Sequence, residues 1–205
     1  MQMYRREHYL AKLRPFYDDA GLIKVVTGIR RCGKSSLLCS VMDELRERGV
    51  SEGDICYINL DRREYQDVNT PEKLDAVIEH SLGKSASMRY LFIDEIQNVK
   101  GYETIVNGWR EEGDCSIFIT GSNSYLLSGE LATKLTGRYI ELEMFTLSFN
   151  EYLGMREYLG LPKKPESQVF QEYLIYGGFP KALEYEDLDA KAMYIQDVIG
   201  QIFSK

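Results

Sequence analysis

The stretch that most constrains this fold runs from Leu22 to Ser35. A short β-rich apolar run, Leu22–Thr27, enters Gly28-Ile29-Arg30-Arg31-Cys32-Gly33-Lys34-Ser35, and a helix-like stretch begins at Lys34. A G-x-x-x-x-G-K-[ST] segment between a strand and a helix commits the chain to a β-loop-α unit shaped to hold phosphate. Gly28 and Gly33 permit a tight turn whose backbone N–H groups point inward, and the helix adds the positive end of its dipole. Lys34 can then reach the β- and γ-phosphates of a nucleotide, and the Ser35 hydroxyl can ligate Mg²⁺. The expected nucleotide-binding set is Gly28, Ile29, Arg30, Arg31, Cys32, Gly33, Lys34, Ser35 and Ser36. Arg30 and Arg31 fit two roles: they either shape the field at the loop or stand as solvated loop arginines.

The charge distribution points to the same place. Across 205 residues the net charge is −7, yet residues 1–50 carry 10 basic and 6 acidic side chains, a balance of +4. Residues 51–140 and 141–205 balance at −6 and −5, so the first quarter is the only net-basic stretch. An acidic chain argues against a surface built throughout for nucleic acid but leaves a local basic patch open.

Further apolar runs at Ile55–Leu60, Tyr90–Asp94, Ile117–Thr120 and Tyr139–Met144 read as strands buried on both faces. They alternate with helical stretches at Lys34–Arg48, Pro71–Leu82, Tyr102–Glu112 and Tyr125–Lys134, which implies an α/β fold with a five-stranded parallel sheet. After Met144 the rhythm changes. Ser148–Leu159, Ser167–Tyr176 and Pro180–Phe203 read as helices with no strand between them, a small helical appendage after the α/β body. The division falls at 1–146 and 147–205.

The run ending at Ile93 is followed by Asp94-Glu95, 60 residues after Lys34. An Asp at the carboxyl end of a neighbouring strand suits the Mg²⁺ shell, and a second carboxylate beside it suits a general base for water. Asp94 is therefore the metal-side candidate and Glu95 the catalytic one. Ile117–Thr120 ends in Gly121-Ser122-Asn123, where Asn123 or Ser122 would either sense the γ-phosphate or cap a helix.

The start of the chain has no apolar core of a secretory signal, and no run approaches the roughly 20 apolar residues of a spanning helix. Cys32, Cys39, Cys56 and Cys115 are scattered without zinc-ligand spacing, so reduced thiols in a cytoplasmic protein are expected, with no membrane partner.

Taken in order, Gly-Ile-Arg-Arg-x-Gly-Lys-Ser (28–35), Leu-Phe-Ile-Asp-Glu-Ile-Gln (91–97), Ile-Thr-Gly-Ser-Asn-Ser (119–124), Gly-Arg-Tyr (137–139), Leu-Ser-Phe-x-Glu-Tyr (147–152) and Tyr-Gly-Gly-Phe-Pro (176–180) resemble the prokaryotic AAA-type ATPases. More narrowly, they resemble the predicted ATPases of the AAA+ superfamily. That resemblance implies a P-loop NTPase sheet in the order 5-1-4-3-2, which sets Asn123 between Lys34 and Asp94. It implies an arginine finger at Arg138, acting in trans on a neighbouring subunit of a homo-oligomer, and a helical lid in which Lys181 stands near a second-sensor position. ATP and Mg²⁺ are the implied cofactors. Members of the family usually run on into a further C-terminal domain, so a fragment of a longer protein is expected.

The expected activity is ATP hydrolysis coupled to an unknown protein or nucleic-acid partner. One alternative is a nucleotide-gated binding module with slow turnover. Another is a direct nucleic-acid binder using Arg30, Arg31, Arg62 and Arg63; a small-molecule kinase would have little need of the Asp94-Glu95 pair. The absence of an Asn-Lys-x-Asp segment favours adenine over guanine. The N-terminal helix around Tyr9–Phe16 is the candidate for the base pocket.

Overall fold

The computed structural model describes residues 3–82, 88–122, 135 and 137–203. Five strands, β1 (Ile23–Gly28), β2 (Ile55–Asn59), β3 (Arg89–Asp94), β4 (Cys115–Gly121) and β5 (Tyr139–Met144), pair in parallel in the order β2-β3-β4-β1-β5. That is the 5-1-4-3-2 arrangement. It sets the ends of β1, β4 and β3 side by side, so groups remote in sequence meet at one edge of the sheet.

Two apolar layers sandwich the sheet. On one face Ile23, Val25, Ile58, Leu91, Ile93, Ile117 and Ile119 pack under α3 (Pro71–Ser81) and α4 (Tyr102–Glu112). On the other, Val26, Phe92 and Phe118 pack under α1 (Glu7–Leu13) and α2 (Lys34–Glu47), with the two Phe rings stacked at 4.7 Å. β1, β3 and β4 are buried along their whole length, as their continuous apolar runs require. β5 differs from that expectation. It is an edge strand whose Glu141 and Glu143 face solvent, so it alternates rather than running apolar throughout.

One buried charge was not legible from the apolar pattern. Lys24 is fully buried in β1, where its ammonium donates to Asp19 O at 2.6 Å, Leu22 O at 2.8 Å and Ser116 Oγ at 2.7 Å. All three protons are used, which is what lets an amine sit there. Burial still pushes it down to about 8.

After β5 the chain forms α5 (Phe149–Tyr158), α6 (Glu166–Tyr176), a 3-10 turn (Pro180–Glu184) and α7 (Leu188–Phe203). Ser148 starts α5 through a capping box with Glu151. The single helix expected over 180–203 is divided. Tyr185 is extended, and Asp187 restarts the helix by accepting from Ala190 N–H at 2.8 Å. These helices bury their own small clusters, one around Leu147, Tyr152, Val169 and Leu183 and one around Phe179, Ala182 and Val198. The helix expected at 125–134 lies outside the described residues.

The joint between sheet and helices is a backbone contact. Leu147 N–H donates to Gly178 O at 2.7 Å, and a Cβ on Gly178 would stand 2.2 Å from Leu147 O. Backbone lies on both sides, so neither can yield cheaply. Gly178→Ala is expected to cost about 2 kcal/mol, read as a lower urea midpoint at unchanged slope. An unchanged midpoint would show the joint to be loose.

Candidate nucleotide site

The loop after β1 is shaped by three left-handed residues: Gly28 at φ 149°, Arg31 at 64° and Gly33 at 107°. At Gly28 no side chain is possible, because a Cβ would lie 2.3 Å from Met144 O on the paired strand. Cys32 is buried in the loop and packs with α1 and α2; burial pushes its thiol up, so it is filler rather than nucleophile. Gly33 caps α2, whose N-terminus opens on the loop.

Lys34 is 4% exposed, and its ammonium donates to Gly28 O at 3.0 Å and Ile29 O at 3.2 Å. Among the described residues it has no anionic partner. A desolvated ammonium held only by carbonyls carries an unmatched charge that an anion in the loop would satisfy.

Asp94, at the end of β3, is the mirror of this arrangement. Its carboxylate is fully buried and accepts from Thr120 Oγ1, from Tyr57 OH at 2.9 Å and from Asn59 Nδ2 at 3.1 Å. All three donors are neutral. Burial and the Asp94 charge push the Tyr57 phenol up, which keeps it a donor. A buried carboxylate with only neutral donors is a hard-oxygen group with charge to spare for a divalent ion. No cluster of three or more His, Cys, Asp or Glu capable of holding a metal occurs among the described residues.

Thr120 ties the two acidic residues together, since its hydroxyl donates to Asp94 and accepts from Glu95 N–H at 3.1 Å. Glu95 itself is left-handed, at φ 59°, ahead of the 3-10 turn Ile96–Asn98. That conformation turns its side chain off the strand line and into a cavity.

The cavity, about 940 Å³, lies between the phosphate loop and the C-terminal helices. Lys34, Ser35, Ser36, Glu95, Arg31 and Lys181 supply its polar wall, and Met3, Tyr4, Leu147, Met155, Tyr158 and Leu159 an apolar one. Tyr4 and Tyr158 meet at 5.7 Å between ring centres. The part of the N-terminal helix expected at the base turns elsewhere: Tyr9, Leu10 and Leu13 are core. It is Met3, Tyr4 and Arg6 that reach the cavity.

Arg6 is the residue sequence reasoning missed. It is 6% exposed and donates to Cys32 O at 3.2 Å, Phe145 O at 2.7 Å, Thr146 O at 3.1 Å and both Glu151 oxygens at 2.8 Å. One guanidinium thus binds the phosphate loop, the exit of β5 and the first turn of α5. Burial raises the Glu151 carboxyl, but the Arg6 and Ser148 hydrogen bonds outweigh it and hold the group below its usual range.

The two loop arginines part company. Arg30 is exposed, whereas Arg31 crosses to α7, with its guanidinium 5.3 Å from the Tyr194 ring and 3.9 Å from Asp197. Arg138 lies at the start of β5, at the opposite end of the strands from its own loop, donating to Asn107 at 3.2 Å. Ser122 is half-buried at the tip of β4, and Asn123 lies outside the described residues. Arg62 and Arg63 are exposed beyond β2. No helix among the described residues is long and apolar enough to cross a membrane.

A family model described as an AAA domain matches residues 21–153. An uncharacterised protein of Haemophilus influenzae is 41% identical over 181 residues, covering 88% of this chain and 45% of the relative. An uncharacterised protein of Methanocaldococcus jannaschii is 30% identical over 187 residues, covering 88% and 41%. The chain therefore spans less than half the length of these relatives. Among solved structures, the Aeropyrum pernix ORC1 protein in complex with DNA superposes with a TM-score of 0.56 at 16% identity, over 78% of this chain and 50% of that one. The Aeropyrum pernix ORC2 protein gives 0.55 at 14% identity, over 97% and 65%. A likeness at that identity is one of fold.

Proposed function

The chain belongs to the AAA domain family, P-loop ATPases of the AAA+ type, and from that membership we propose that it binds ATP with Mg²⁺ in the cavity and hydrolyses it to ADP and phosphate. One observation carries the reading. A buried cation at Lys34, after β1, and a buried anion at Asp94, at the end of β3, stand at the same edge of the sheet with β4 between their strands, each satisfied only by neutral groups. Phosphate and a divalent ion are the pair that would match both.

In this mechanism the loop N–H groups and Lys34 bind the β- and γ-phosphates, and Ser35 and Asp94 are the residues that would hold Mg²⁺. Bound Mg²⁺ would neutralise charge developing on the phosphate oxygens. Glu95, on the cavity wall, takes the proton of the attacking water. Asn123 senses the γ-phosphate. Lys181, on the cavity wall opposite the loop, serves as the lid's basic group. Arg138, remote from its own loop, acts on a neighbouring copy's nucleotide in a homo-oligomer. The aromatic wall suits an adenine ring.

Residues 1–146 form the ATP-binding body and 147–205 the lid, working in the cytoplasm on a protein or nucleic-acid partner. The test is steady-state ATP hydrolysis with solution mass measured with and without nucleotide. Glu95→Gln should retain ATP and lose turnover about a hundredfold. Equal turnover in wild type and variant would sink the assignment of the base. The Arg31 contact with α7 favours a second reading, in which ATP sets lid position and partner affinity while turnover is slow. Under it, Glu95→Gln strengthens partner binding.

A further inference from the structure

Two residues beyond Glu95 stands a side chain with no part in the mechanism above. Gln97 lies in the 3-10 turn Ile96–Asn98, and its Nε2 donates to Glu95 Oε2. An ionised carboxylate only accepts, so the amide must present its NH₂ to Glu95 and turn its oxygen away. That oxygen, Oε1, is buried and has no hydrogen-bond partner among the described residues. An amide whose oxygen is buried without a partner is a poor choice for stability. The residue before the turn is unfavourable as well, since Glu95 is a non-glycine residue in the left-handed region. Two local costs converge on one carboxylate, and such convergence is expected where geometry is held for chemistry.

We propose that Gln97 is a positioning residue for Glu95: its amide fixes the carboxylate on the cavity wall, where the attacking water must be met. The backbone half of that placement comes from the left-handed φ and from Thr120 Oγ1, which accepts from Glu95 N–H at 3.1 Å. Ile96, fully buried, anchors the turn between them. The Glu95 side chain still has rotatable bonds beyond that fixed backbone, and Gln97 is the partner the structure gives its carboxylate. The proposal rests on Glu95 acting as the base.

The test compares Gln97→Ala and Gln97→Glu with wild type in the whole chain, using Mg·ATP as substrate. In Gln97→Ala, kcat should fall about tenfold or more while KM for ATP is unchanged, because binding does not pass through Gln97. Melting temperature should hold or rise, since an unmatched buried oxygen has been removed. Gln97→Glu keeps the shape but replaces the donor by a carboxylate facing Glu95, and its kcat should fall at least as far. A purely structural Gln97 predicts the reverse pattern, with melting temperature lowered and kcat of the folded fraction intact; that result overturns the proposal. Glu95→Gln, run alongside, separates the two failures. If Glu95→Gln is slow and Gln97→Ala turns over like wild type, only the positioning role is lost. If Glu95→Gln equals wild type, the base and its positioning residue fall together.

Discussion

Lys34→Ala should lose nucleotide affinity by about a thousandfold while the fold holds. The ammonium is the one cation shown to be buried in the loop, and the charge-assisted bonds it would make to phosphate are each worth about 1.5–3 kcal/mol. Two of them account for the loss. In the free protein the same group is held only by two carbonyls, so deleting it removes a desolvated charge and costs the fold little. Thermal denaturation reads both effects at once. At a concentration 100 times the wild-type Kd, ATP stabilises wild type by about 2.7 kcal/mol, and at a thousandfold weaker Kd by less than about 0.1. A variant that melts like free wild type and no longer responds to ATP is the expected result. One that responds as wild type does would mean phosphate is not held at this loop.

Arg6→Ala should damage the fold severely, costing about 3 kcal/mol. Its five hydrogen bonds join segments up to 145 residues apart, and its loss strands the carbonyls of Cys32, Phe145 and Thr146 together with the Glu151 carboxylate. With a urea m-value of about 2 kcal/mol/M, the midpoint should drop by about 1.5 M. The effect is pH-dependent with a definite sign. Glu151 is held below its ordinary value of 4.5 in the folded chain, so its contribution is present above that pH and lost as pH falls through the lower folded value. Wild type should therefore lose stability on acidification that Arg6→Ala no longer has to lose, and their midpoints should converge below about pH 4.5. A constant gap from pH 7 to pH 3 would assign the effect to the carbonyls alone.

What sequence reasoning could reach follows from what each residue answers to. The strand–loop–helix at 22–35 and the acidic pair at 94–95 are local patterns, and the buried strands announce themselves as unbroken apolar runs. β5 carries two Glu among its apolar residues, a sign of an edge that the continuous-run reading passed over. Ser148-x-x-Glu151 is a capping box in plain sight, and Asp187 three residues before Ala190 is an N-cap signal that divides the last helix. Arg6, Lys24 and the Tyr57–Asn59–Thr120 cage around Asp94 are different in kind. A charged residue is read as solvent-facing until its partners are known, and these partners lie on other strands and segments. Gln97 sits between the two cases: its neighbour is local, but its unmatched oxygen exists only in the folded packing.

The order of the strands also sets when the site can exist during synthesis. Lys24 pairs with Phe118 on β4, and Ile23 pairs with Tyr139 on β5, separations of 94 and 116 residues. The phosphate loop hangs from a strand that has neither neighbour until those segments leave the ribosome. At roughly 5–20 residues per second, 116 residues take about 6 to 23 s. Through that interval the apolar β1 is exposed and its loop is only a glycine-rich tether, while β2 and β3, made later, can already pair with each other. The strand written first thus waits for two of the strands written last.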